Sequence, residues 1–71
     1  MTRPDGLTPQ QRRVVLLVVD GRTDQQIADT LEVEVQTVRF HIWRVARSWS
    51  LDKQGNTRAQ IVAKYLRTSA A

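Results

Sequence analysis

The chain has 71 residues, enough for one small domain close to the lower limit for folding without disulfides or metal. It has no cysteine, and no carboxylate stands at ligand spacing around its single histidine, His41, so disulfides, thiol nucleophiles and a metal centre are excluded. Residues 1–34 carry four basic and six acidic side chains, residues 35–71 seven basic ones against Asp52 alone, and this basic second half points to a polyanionic partner.

Helix signals run along the whole chain. Thr8-Pro9-Gln10-Gln11 offers an N-cap threonine, a proline at the first helical position and a glutamine that closes a capping box. It predicts a first helix over about 9–20, with Leu7 placed as a hydrophobic staple and Gly21 as the left-handed stop. The apolar run Val14–Val19 is more than one helix face buries, which leaves Leu16 or Val19 at a margin or contact surface. It is also far too short to cross a bilayer, and no small-residue cleavage site follows it, so a cytoplasmic location is expected.

Thr23-Asp24-Gln25-Gln26 is a second capping box and predicts a short helix over about 24–31, with Ile27, Ala28 and Leu31 facing inward. Asp24 in its first turn complements the helix dipole. Glu32-Val33-Glu34 then breaks the pattern as a three-residue turn without glycine, and Glu34 is a mediocre cap for the next helix.

The third helix, predicted over about 35–49, carries the chemistry. Val38, Ile42, Val45 and Trp49 fall at i, i+4, i+7 and i+11, an inward stripe. The other faces hold Gln36, Thr37, Arg39, Phe40, His41, Trp43, Arg44, Arg47 and Ser48. Arginine forks suit guanine edges or phosphates, amides suit adenine, and apolar groups suit thymine methyls, so this face has the composition of a groove reader. Phe40 and Trp43 have two readings here: packed under the following connection, or turned toward DNA or a protein partner.

Residues 50–56 form a turn-rich connection ending in Gly55-Asn56. Thr57-Arg58-Ala59-Gln60 reads as a third capping box opening a helix over about 58–67, with Ala59, Ile61, Val62, Ala63, Tyr65 and Leu66 apolar. Residues 1–6 and 68–71 are expected to fray. The fold class is therefore all-α: a single four-helix domain over 1–71, with its core at about 7–67. A helix-turn-helix lies inside a tri-helical unit, and a C-terminal fourth helix comes after it.

These residues resemble a known family. Leu7-Thr8-Pro9, Val14-Val15, Gly21 to Ala28, Leu31 and Gln36-Thr37-Val38-Arg39-Phe40-His41 are similar in content and joint spacing to the LuxR/GerE-type DNA-binding domain, over about residues 7–66. The resemblance implies a third helix in the major groove, with Arg39, Phe40 and Trp43 at base-facing positions. It puts Thr37, His41 and Arg44 near phosphates, while Gln36 and Arg47 complete the basic, amide-bearing face. It also implies a fourth helix that forms a homodimer contact, for which Ile61, Val62, Tyr65 and Leu66 are the candidates. With no receiver or ligand-binding domain in the sequence, the stand-alone GerE-like members are the nearest pattern.

The departures from the family pattern are specific. Gln11 and Gln26 replace glutamates, Arg13 replaces an acidic residue, Glu34 replaces a capping serine or threonine, and about four extra residues precede Thr57-Arg58-Ala59. The expected function is sequence-specific binding of double-stranded DNA in transcription regulation, with no cofactor and no membrane. A protein-interaction module similar to region 4 of sigma factors, contacting RNA polymerase, is the alternative. An enzyme is disfavoured, because there is no Ser/His/acid constellation, no phosphate-cradling glycine loop and too little chain to enclose a pocket.

Overall fold

The computed structural model describes residues 6–69, with side chains to Arg67. Four helices come in order: α1 (Pro9–Val19), α2 (Asp24–Leu31), α3 (Val35–Ser48) and α4 (Thr57–Ser69). Among the described residues there is no strand. The fraying expected at residues 1–5, 70 and 71 lies outside the described residues, whereas the backbone at 68 and 69 continues α4.

The first two helices start as their sequences predict. The Gln11 backbone N–H donates to Thr8 Oγ1 and the Thr8 N–H to Gln11 Oε1, at 3.2 and 3.1 Å. Thr23 and Gln26 repeat the exchange at 3.1 and 2.9 Å. Each box satisfies two backbone donors that a helix start otherwise leaves unpaired.

Three helices end by the same device. Past α1, Gly21 N–H donates to Val18 O and Arg22 N–H to Leu17 O, the paired bonds of a Schellman motif, around Gly21 at φ +87. The same two-bond pattern closes α2 around Glu32 and α3 around Ser50, which take φ 58 and 54 without being glycine. The turn between α2 and α3 is thus sharp although it has no glycine.

α3 opens differently. Glu34 has N-cap backbone geometry, but its side chain makes no capping hydrogen bond. The weak cap expected of Glu34 is, in the folded chain, no side-chain cap at all.

The core gathers Leu7, Val14, Val15, Val18, Ile27, Ala28, Val38, Ile42, Val45, Trp49 and Ile61. Leu7 goes into this cluster, and Leu16 is the member of the α1 run left exposed, with Val19 half-buried. α1 is the central helix, packed against both α3 and α4, while α2 lies against α3.

Two expectations for α4 are corrected. Its N-cap is Asn56, whose Oδ1 accepts from the Ala59 N–H at 3.1 Å, so the helix begins one residue before the predicted box would allow. Gln60 is thereby released from capping. It clasps the connection instead, accepting from the Asp52 N–H at 2.8 Å and donating Nε2 to the Asp52 carbonyl at 2.9 Å. Gly55 permits this close approach, since a Cβ there would fall 2.5 Å from Gln60 Nε2.

The second correction concerns Ile61, which is completely buried in the chain's own core and has no surface to offer a second subunit. Val62 and Tyr65 are half-buried against the same core, and Leu66 alone of the four dimer candidates is well exposed, at 53%.

Candidate nucleic-acid interface

Burial of Val38, Ile42 and Val45, with Trp49 as C-cap, fixes the rotation of α3 about its axis. At about 100° per residue, the direction opposite that stripe belongs to Gln36, Phe40, Trp43 and Arg47. All four are exposed, and they form the ridge farthest from the core. Arg39 lies on one flank of this ridge. Arg44 lies on the other, with Thr37 and His41 behind it and half-buried. The eight residues singled out in the sequence are therefore all on α3, six exposed and two at the margin.

The two aromatic rings are not beneath the connection. Phe40 and Trp43 are 51% and 50% exposed, with ring centroids 6.0 Å apart and planes inclined by 30°. Arg44 lies over the Phe40 ring at 5.7 Å and Arg47 over the Trp43 ring at 5.0 Å. Each cation sits one turn after its ring, so the i, i+4 spacing builds two parallel ring–guanidinium pairs joined by the stack. His41 adds a tilted contact to Phe40 at 6.1 Å.

Trp43 also edges an open groove of about 650 Å³ between α3 and the connection, lined in addition by Ala46, Leu51, Lys53 and Thr57. Asp52 and Arg47 line it too, so Lys53 and Arg47 border one groove, a placement with no local signal in the chain.

On the other side, Arg39 and Arg58 meet at Asp24. Arg39 Nε stands 3.5 Å from Asp24 Oδ2, and Arg58 Nη1 2.6 Å from Asp24 Oδ1. Arg58 Nη2 also donates to the Arg22 carbonyl. The Arg39 side chain remains 68% exposed beside that pair. The meeting of Asp24, Arg58 and Arg39 was not legible in the sequence, where Asp24 read only as a dipole partner.

Among the described residues no three His, Cys, Asp or Glu side chains come together as a metal site, and no helix is long and apolar enough to cross a membrane.

A short helix, a sharp three-residue turn and a longer helix with a basic, aromatic outer ridge are the features to set beside known proteins. The profile of the family described as bacterial regulatory proteins, luxR family, matches residues 5–48. The chain belongs to the luxR family. Neither a curated protein nor a solved structure matches it. The family is one of regulators that generally bind DNA in transcription regulation, and not one of enzymes. The match ends with Ser48, the last residue of α3, so it contains the whole helix-turn-helix. The resemblance traced to about residue 66 is thus matched for α1 to α3, while the connection and α4 lie beyond it.

Proposed function

We propose that this chain is a sequence-specific reader of double-stranded DNA that places α3 in the major groove. The observation that carries the reading is the ridge of Gln36, Phe40, Trp43 and Arg47, which faces straight away from the core with Arg39 and Arg44 on its two flanks. A helix with side chains fits the width of that groove, and its outermost residues reach deepest. Arg39, exposed on one flank with Nε 3.5 Å from Asp24, suits a base edge. Arg44 and Arg47, steadied on the aromatic rings, suit the flanking phosphates, as do Thr37 and His41 at the margin.

A homodimer through the outer side of α4 fits the exposure of Leu66 beside half-buried Val62 and Tyr65, with Ile61 excluded by its burial. Such a regulator would act in the bacterial cytoplasm, at the nucleoid. A second reading, docking on RNA polymerase or another transcription protein, is favoured by the apolar groove beside Trp43. Titrating a labelled random duplex at several salt concentrations separates the two. Neutralising some 4–6 phosphates per subunit gives a slope of about −4 to −5 for log K against log salt. A flat dependence would remove DNA as the partner and leave the protein-docking reading.

A further inference from the structure

We infer that Phe40 and Trp43 read the C5-methyl groups of pyrimidines, so that the preferred DNA site presents neighbouring thymines to the middle of α3. This rests on the duplex-DNA reading and adds the chemical group that the ridge selects.

Phe40 and Trp43 stand three residues apart on the outermost ridge of α3, where a helix in the major groove comes nearest to the floor. On that floor the thymine methyl is the largest apolar feature, beside small C–H edges and a row of hydrogen-bond donors and acceptors. Two half-exposed rings placed against donors and acceptors would strip them of water and return no hydrogen bond, whereas methyl groups lose nothing by the contact.

The geometry also disfavours stacking between bases, the other common use of aromatic side chains on nucleic acid. Phe40 already has Trp43 and the Arg44 guanidinium as neighbours, and Trp43 has Phe40 and the Arg47 guanidinium. In an intact duplex the bases are already stacked on one another, so the major groove offers the rings base edges and methyl groups rather than base faces. The two arginines hold the rings in place before DNA arrives, which lowers the ordering cost of the contact.

The test uses the duplex recovered by selection from a random-core pool, remade with deoxyuridine at each thymidine in turn. Uracil pairs as thymine does and lacks only the methyl. The expected result is a loss of affinity of about 4-fold at two neighbouring positions, the value for one buried methyl-sized group at each. In Phe40→Ala and Trp43→Ala, each checked by thermal melting, the thymine-to-uracil affinity ratio at one of those positions should fall to about 1. Should an alanine variant melt early, Phe40→Gln or Trp43→Gln gives the same readout with side-chain length retained. Equal affinity for thymine and uracil at every position would overturn methyl reading and leave duplex binding intact. A ratio unchanged in both aromatic variants would overturn the assignment to this pair. Failure of the pool to yield any bound duplex would overturn the DNA reading itself.

Discussion

Arg58, in the first turn of α4, donates from Nη1 to Asp24 in the first turn of α2 over 2.6 Å, across 34 positions of sequence. The second oxygen of the same carboxylate faces Arg39 of α3, so one aspartate ties three helices together. Both partners of the shorter bond are partly shielded, with side chains 37% and 29% exposed. Arg58→Ala removes this bond and the one to the Arg22 carbonyl, and a loss of about 1–2 kcal/mol is expected. Thermal melting would read that as a fall of roughly 5–15 °C for a domain of this size. An unchanged melting temperature would show the brace to be energetically idle.

Arg39 and Arg44 lie on opposite flanks of the α3 ridge and, on the proposed reading, should fail differently. Arg39→Ala is expected to cost about 1–3 kcal/mol on the preferred site and to relax discrimination at one base pair. Arg44→Ala should weaken specific and random duplexes alike. Equal losses for Arg39→Ala on both kinds of DNA would move Arg39 to the phosphate backbone.

The α2–α3 turn pays for its sharpness at Glu32 and Glu34. Glu32 takes φ 58, a region that costs a non-glycine residue about 1–2 kcal/mol, so Glu32→Gly should stabilise the fold by about 0.5–1 kcal/mol after the added chain entropy. Glu34→Ser supplies the missing side-chain cap on α3 and should add about 0.5–1 kcal/mol. Gly21 is the control: nothing lies within 4 Å of a Cβ built there, so Gly21→Ala should lose stability through the backbone alone. Chemical denaturation of the three variants measures all of these, and destabilisation by Glu32→Gly would contradict the left-handed geometry.

Leu66 is the position at which to probe pairing of subunits. It is exposed, whereas Val62 and Tyr65 help to close the core, so a charge at either would confound assembly with folding. Leu66→Glu should leave melting nearly unchanged and weaken binding to paired half-sites far more than to a single half-site. Equal effects on both DNAs would indicate that the subunit binds alone.

The starts of α1 and α2 and the outward face of α3 were legible in the chain because they are made within one or two helical turns. Thr8 with Gln11, and Thr23 with Gln26, need only the local spacing of three residues, and Val38, Ile42, Val45 and Trp49 declare their common side by periodicity. Once that stripe is buried, the outward direction of Phe40 and Trp43 is set by helical geometry. The region after Ser48 was decided by tertiary structure. Asn56 and Thr57 are both competent caps, and Asn56 prevails where Gln60 is drawn eight residues back to the Asp52 peptide. Ile61 looked as available as Leu66 until α4 lay on α1, because apolarity alone does not say which side of a helix finds a core. The meeting of Asp24, Arg39 and Arg58 likewise needed three helices brought together: a charge has no periodicity that reveals its partner, and only the packing of the apolar stripes brings such distant residues within bonding range.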